Sequence, residues 1–256
     1  MKVAVTGYRG FIASHLIPEL KNHREKLVLI EIDDYPIGNK FTGCNAVIHL
    51  GAIAGARPGV DPYYYFENNV RKTVDLLEAA RKSKVRKFIF ISTCTITHGI
   101  KNIYDISKLQ GEQWCKEYRR YFDDLTILRL YNVYGERDTK SVVYKFVHAV
   151  KKGRPIVIHG DGKQTRDFIY VKDIVRGITK VLYSKKPFND VFDVGTGKEI
   201  SIQALGNLIF RLSGKTVPIT HEPLPYPQLR HAKCSRPLFV SHPLPLNKGI
   251  RMMLQN

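Results

Sequence analysis

The sequence predicts an α/β protein built on a doubly wound parallel sheet (a Rossmann fold), with a smaller lobe supplied by the C-terminal part of the chain. Three observations predict it. Short apolar runs alternate with segments whose apolar residues recur at helical spacing. The apolar runs have no polar face, which suits parallel strands covered by helices on both sides. The 256 residues, 43% hydrophobic and 25% charged, suffice for one large core or a core plus a lobe.

Lys2 to Thr6 reads as the first strand, the glycines after it as a turn, Ile12 to Lys21 as a helix and Leu27 to Ile32 as the next strand. Ala46 to Leu50 is a strand, Asn69 to Lys82 an amphipathic helix and Lys87 to Ser92 a buried strand. A helix follows over Tyr104 to Arg120, a strand over Leu125 to Leu130 and a helix over Val142 to Lys152. Beyond residue 136 the order loosens, with short strands at Pro155 to His159 and Val191 to Val194 and a turn at Gly160 to Gly162. Seven of the 13 prolines lie between Pro218 and Pro245, which predicts extended connections in the tail rather than long helices. The sheet domain is expected over residues 1–135 and about 171–197, and the lobe over about 136–170 and 198–256.

Forty-one Lys and Arg against 23 Asp and Glu give a formal charge of +18, which draws in anions without specifying which. The basic run Arg81 to Lys87 reads as a solvated helix end and turn. Cys44, Cys94, Cys115 and Cys234 form no CxxC or Cys/His ligand spacing, so neither a disulfide framework nor a metal site is expected. No apolar run approaches the roughly 18 residues that span a bilayer. Met1 to Thr6 leads into a glycine turn rather than a signal-peptide core, so a cytoplasmic protein with no membrane partner is expected.

Val3-Ala4-Val5-Thr6-Gly7-Tyr8-Arg9-Gly10-Phe11-Ile12-Ala13 places a glycine turn between the first strand and the first helix. Backbone N–H groups and the helix dipole there can hold a pyrophosphate. Gly7 permits the tight turn, Gly10 admits the phosphate, and Ala13 stands where a third glycine is usual. Asp33 and Asp34 follow the second strand at the distance where a carboxylate accepts hydrogen bonds from an adenosine ribose, which favours NAD over NADP. Asp33 is preferred, and Glu31 competes for that role.

Tyr104 and Lys108 stand four residues apart at the start of a helix, so phenol and ammonium share a face. A nearby cation stabilises a phenolate and brings its pKa down from about 10 toward the working pH of an acid/base group. Phe88-Ile89-Phe90-Ile91-Ser92-Thr93 is a buried strand ending in two hydroxyls, at the sheet edge where doubly wound folds hold ligands.

Seven segments occur in order: Thr6-Gly7-Tyr8-Arg9-Gly10-Phe11-Ile12, His49-Leu50-Gly51-Ala52, Glu67-Asn68-Asn69-Val70, Ile91-Ser92-Thr93, Tyr104-xxx-Lys108, Arg129 to Gly135, and Gly160 to Val171. Together they resemble the extended short-chain dehydrogenase/reductase family, in its NAD-dependent nucleotide-sugar epimerase/dehydratase branch, over nearly the whole chain. The resemblance implies that Gly7, Gly10, Phe11, Ile12, Leu50, Gly51, Ala52, Asn69, Ser92, Leu130 and Tyr131 lie at the NAD site, with Tyr104 and Lys108 beside it. Thr93, Tyr104 and Lys108 would be catalytic. Asn132 and Arg166 would hold the substrate diphosphate, while His159 either borders the nucleotide base or simply ends a strand. Tyr104 would take a proton from a sugar hydroxyl as the carbon gives hydride to NAD. Rotation of the keto-sugar and return of hydride to its other face would invert the centre.

Dehydratases of the branch carry an Asp-Glu pair directly after the strand-end threonine, and Cys94-Thr95 stands here instead. Epimerisation of a UDP-sugar, with UDP-glucose and UDP-galactose the leading pair, is therefore preferred over dehydration or decarboxylation; ketoreduction would fit the same trio but commonly uses NADPH, which Asp33 opposes. A dinucleotide fold reused as a non-catalytic nucleic-acid binder is the contrasting class, suggested by the charge and opposed by the Thr93/Tyr104/Lys108 trio. Relatives pair through helices matching Asn69 to Lys82 and Tyr104 to Arg120, which implies a homodimer. Asp34 to Ala46 and Thr93 to Tyr104 are both short for the family. An extra strand beside adenine and a loop beside the substrate are accordingly expected to be missing.

Overall fold

A computed structural model describes the chain except for residues 32–34, 58, 101, 226, 237, 238 and 256. Asp33 and Asp34 thus lie outside the described residues. The elements in order are β1 (Lys2–Thr6), α1 (Phe11–Asn22), β2 (Lys26–Ile30), β3 (Ala46–His49), α2 (Pro62–Tyr65), α3 (Lys72–Lys82), β4 (Lys87–Thr93), α4 (Ile103–Tyr118), β5 (Asp124–Leu130), β6 (Asn132–Tyr134) and α5 (Val142–Lys151). There follow β7 (Ile156–His159), β8 (Thr165–Tyr170), α6 (Val171–Tyr183), β9 (Val191–Val194), β10 (Glu199–Ser201), α7 (Ile202–Ser213), β11 (Ile219–Glu222) and α8 (Leu246–Gln255). A π-helical segment, Phe66–Arg71, joins α2 to α3. No helix among the described residues is long and apolar enough to cross a membrane.

The chain divides into two compact units, Met1–Arg129 with Val175–Phe192, and Leu130–Ile174 with Asp193–Asn256. Residues 130–135, 171–174 and 193–197, grouped with the sheet domain on sequence, fall in the second unit.

The first unit is built on a six-stranded sheet of order β2-β1-β3-β4-β5-β9. β1 pairs in parallel with β2 on one side and β3 on the other, with Thr6 opposite both Ile30 and His49. The chain steps outward from β1 to β2 and then crosses to the other side, so a crevice opens beyond the carboxyl ends of β1 and β3. No strand occurs among the described residues between β2 and β3, which leaves β2 at the sheet edge. Strand side chains pack on both faces: Val3, Ala4, Val5, Val47, Ile48, Phe88 and Phe90 are all fully buried. Helix α4 starts at Asn102, whose side chain accepts from the Asp105 N–H. It lies against β4 at Gly111, where a Cβ would stand 2.8 Å from Phe90 Cζ.

In the second unit β8 pairs antiparallel with β10 and in parallel with β6, while β7 and β11 form a parallel pair. Helices α5, α7 and α8 pack against one another over a core that includes Phe146, Ile158, Leu205 and Ile250. Between Pro218 and Pro245 the described residues form no helix, as the prolines lead one to expect, and α7 and α8 flank that stretch. The prolines fall between them: α7 ends at Gly214, in the left-handed region at φ +67°, and α8 begins directly after Pro245. Pro245 carbonyl accepts from the Lys248 and Gly249 N–H groups, so the last proline of that stretch precedes the first turn of α8.

Candidate active site

A cavity of about 230 Å3 occupies the crevice of the first unit, lined by Thr6, Gly7, Gly10, Glu31, Leu50, Gly51 and Ala52, among others. Gly7 has φ +68°, and a Cβ there would lie 2.7 Å from Gly51 Cα, so two backbones meet where a side chain has no room. Gly10 opens α1 with no side chain capping the helix, leaving the first-turn N–H groups to the crevice. These features fit a dinucleotide: a backbone cradle, a helix N-terminus and a carboxylate at the end of β2. That carboxylate is Glu31, which accepts from the Arg9 N–H at 2.7 Å and so steadies the glycine turn. Phe11 and Ile12 form the first positions of α1 and are half-buried.

Two buried residues tie this cradle together. His49 Nδ1 lies 2.7 Å from Thr6 Oγ1, and Nε2 lies 2.9 Å from Thr73 Oγ1. Thr73 donates to the Asn69 carbonyl, so it must accept from Nε2–H, and Nδ1 must accept from Thr6. Thr6 Oγ1 in turn accepts from the Gly51 N–H. Burial, followed by the charge of Lys108, pushes the His49 pKa down to about 3, so the imidazole is neutral. Asn69, in the π-helical segment, accepts from the Ile53 N–H and donates to both the Ile53 carbonyl and Ser107 Oγ. It thereby joins the loop after β3 to the helix that carries Tyr104 and Lys108. Local π geometry commonly marks functional positions of this kind.

Thr93 ends β4, and Tyr104 stands one residue into α4. Lys108 is buried, donates to the Ile91 carbonyl at 2.6 Å and lies over the Phe90 ring at 4.1 Å. The expectation that this ammonium lowers the Tyr104 pKa is corrected here. Desolvation first, then the charges of Cys94 and Asp105, raises the phenol well above its usual range, with the neighbouring Thr93 hydroxyl acting the other way. Burial brings Lys108 itself down to about 8. Ser92 is engaged elsewhere: it donates to Glu112 at 2.6 Å, and fully buried Glu112 also pairs with Arg129 at 2.9 and 2.6 Å.

The remaining predicted residues lie in the second unit. Leu130 and Tyr131 are buried, and the Tyr131 hydroxyl donates to the Lys233 carbonyl. Asn132, His159 and Arg166 come together around a cavity of about 650 Å3, with Gln164, Glu222 and Gln228. Arg166 donates to the Thr165 carbonyl at 2.8 Å and to Gln228 Oε1 at 3.3 Å, while Asn132 donates to the Asp167 carbonyl. Reasoning from sequence quoted Thr6, His49 and Gln164 within the family segments but gave them no role, and it missed the cavity residue Gln228, which lies in none of them.

A family model described as the NAD dependent epimerase/dehydratase family matches residues 3–195. The chain belongs to that family. Its members act as NAD-dependent enzymes, as the resemblance implied. Among relatives of this epimerase/dehydratase chain, a protein of Methanocaldococcus jannaschii described as a putative UDP-glucose 4-epimerase is 32% identical over 81% of each sequence. Human dTDP-D-glucose 4,6-dehydratase is 29% identical over 84% of this chain and 74% of its own. The crystal structure of UDP-glucuronic acid 4-epimerase from Bacillus cereus, in complex with UDP-glucuronic acid and NAD, superposes with a TM-score of 0.89 at 28% identity. That match covers 100% of this chain and 98% of that one.

Proposed function

We propose that this chain is a UDP-sugar 4-epimerase, with UDP-glucose and UDP-galactose the leading substrate pair, working as a homodimer through the helices over 69–82 and 104–120. The first unit would bind the dinucleotide and the second the sugar nucleotide. One observation carries the reading: a threonine, a tyrosine and a lysine gather at the carboxyl end of β4, and the two positions after the threonine, Cys94 and Thr95, carry no carboxylate. A carboxylate does come close, Asp105, yet it is buried and accepts from Thr95, so it presents no acid to a sugar.

NAD, when bound, would supply the hydride acceptor and donor. Gly7, Gly10, Leu50, Gly51 and Ala52 would hold it, and Asn69 would fix the loop on which three of them sit. Thr93 would bind the sugar hydroxyl that loses its proton, and Tyr104 would take that proton and give it back. Lys108 would hold positive charge beneath the site while pinned on the Ile91 carbonyl. Arg166 and Asn132 would hold the diphosphate, in which the planar guanidinium matches paired oxygens.

The test is a panel of UDP-, GDP-, CDP- and dTDP-sugars with NAD, read by NMR. The C4 epimer of a UDP-sugar is the expected product. A 4-keto-6-deoxy sugar would make the chain a dehydratase, and a reduced sugar a ketoreductase. Tyr104→Phe is expected to lower turnover by about 100-fold or more with an unchanged melting temperature.

A further inference from the structure

Besides the glycine cradle and Glu31, the cavity of the first unit is lined by Tyr35, Asn68 and Lys72. Lys72 opens α3, and two different segments hold its ammonium. It donates to Asn68 Oδ1 at 2.8 Å, in the π-helical segment, and stands 5.0 Å from the centre of the Tyr35 ring, in the connection after β2. The Tyr35 hydroxyl in turn reaches the Lys72 carbonyl at 3.5 Å. Asn68 is buried and its amide nitrogen donates to the Tyr64 carbonyl, so both of its polar atoms are engaged.

Sheet order decides which part of a dinucleotide reaches this corner. Thr93 ends β4, so a nicotinamide that exchanges hydride beside it lies on the β4 side of β1. β2 is the edge strand on the other side, and the adenosine half runs toward it, with the ribose on the carboxylate that follows the strand. Past the ribose only the base remains, and Tyr35, just after β2, belongs to that end of the cavity. No strand among the described residues between β2 and β3 offers backbone groups to the base, whereas Lys72 offers a side-chain donor. Adenine ring nitrogens are acceptors; an ammonium is a pure donor with three hydrogens, of which Asn68 takes one. A 2′-phosphate is the poorer match, because Glu31 lines the same cavity and repels it.

We propose that Lys72 recognises the adenine of NAD by donating to one of its ring nitrogens, with Tyr35 as the positioning residue that holds the ammonium in place. This assignment rests on the cofactor half of the reading above and not on which sugar is turned over. It makes the base, and not the pyrophosphate and ribose alone, a determinant of cofactor affinity. A single side chain at the start of α3 then does the work that a strand beside adenine would otherwise share.

Calorimetry of the chain freed of nucleotide tests this without any sugar. The ligands are NAD and three analogues in which adenine N1, N3 or N7 is replaced by C–H. The wild type is expected to bind one of the three about 10- to 100-fold more weakly than NAD, as the loss of a hydrogen bond from a charged donor requires. Lys72→Met keeps an apolar stem without the donor. It should lose the same factor toward NAD and bind NAD and that analogue alike, so the two changes are coupled and not additive. Tyr35→Leu should shrink the discrimination between NAD and the analogue, while Tyr35→Phe, which keeps the ring, should retain it. Equal weakening of NAD and all three analogues in Lys72→Met would overturn the base contact. So would equal binding of all four ligands by the wild type, a result that needs no variant to fold. A wild-type preference for NADP that Lys72→Met abolishes would assign the ammonium to a phosphate and overturn it as well. If the wild type binds no NAD at all, the cofactor site falls together with this contact; if it binds NAD without reading the base, only the contact falls.

Discussion

Acid should weaken this protein through one imidazole. His49 is neutral when folded because its Nδ1 must accept from Thr6 and its Nε2–H must donate to Thr73. Protonation would put a donor where an acceptor is required, in a site already facing the Lys108 charge. In the unfolded chain the same ring takes up a proton near its ordinary value of 6.5, against about 3 in the fold. The unfolded state therefore binds more protons between those values, and stability from this residue, complete above pH 6.5, is lost as pH falls toward 3. At about 1.4 kcal/mol per unit the loss is roughly 2 kcal/mol by pH 5 and about 4 kcal/mol by pH 3. Urea unfolding at a series of pH values would measure it in the wild type and in His49→Gln, which keeps a donor toward Thr73 but does not titrate. The variant is expected to be the less stable at pH 7, with the gap closing by about 2 kcal/mol by pH 5. Because carboxylates act on both proteins alike, two parallel stability curves would refute the reasoning.

Gly7→Ala places a Cβ 2.7 Å from Gly51 Cα at φ +68°, and about 1–2 kcal/mol of backbone strain alone should weaken NAD binding by at least roughly 10-fold, as calorimetry would show. Arg166→Ala should raise KM for the sugar nucleotide by about 10- to 100-fold with kcat little changed, the loss of charged hydrogen bonds worth about 1.5–3 kcal/mol. Glu112→Gln strands Arg129 beside a buried amide and should cost about 3 kcal/mol in chemical denaturation. Ser92→Ala, which leaves that ion pair intact, should cost about 1 kcal/mol.

The strands of the first unit were readable because each carries apolar residues on both faces, and the glycine turn was readable because its place after β1 follows from that pattern. β8 escaped notice, since Thr165-Arg166-Asp167 is polar and its partner β10 is some 30 residues away in the chain. The helix over 69–82 was seen, but its start at Pro62 and the π segment were not, so the two-sided grip of Asn69 on Ile53 had no signature. The family resemblance named Tyr104, Lys108 and Thr93. That Lys108 would point at a carbonyl and a phenyl ring, and that buried Asp105 would accept from Thr95 beside Thr93, depended on how the chain packs around β4.

Gly111 has a consequence reaching beyond its own position. Its backbone comes against the tip of the Phe90 ring, over whose face the Lys108 ammonium lies, so one aromatic side chain governs how closely α4 approaches β4. The depth of the acid/base pair is gauged by an absence one turn further along the helix. Even one methyl at position 111 would tilt α4 outward and withdraw lysine and tyrosine together, silencing the chemistry without touching any group that performs it.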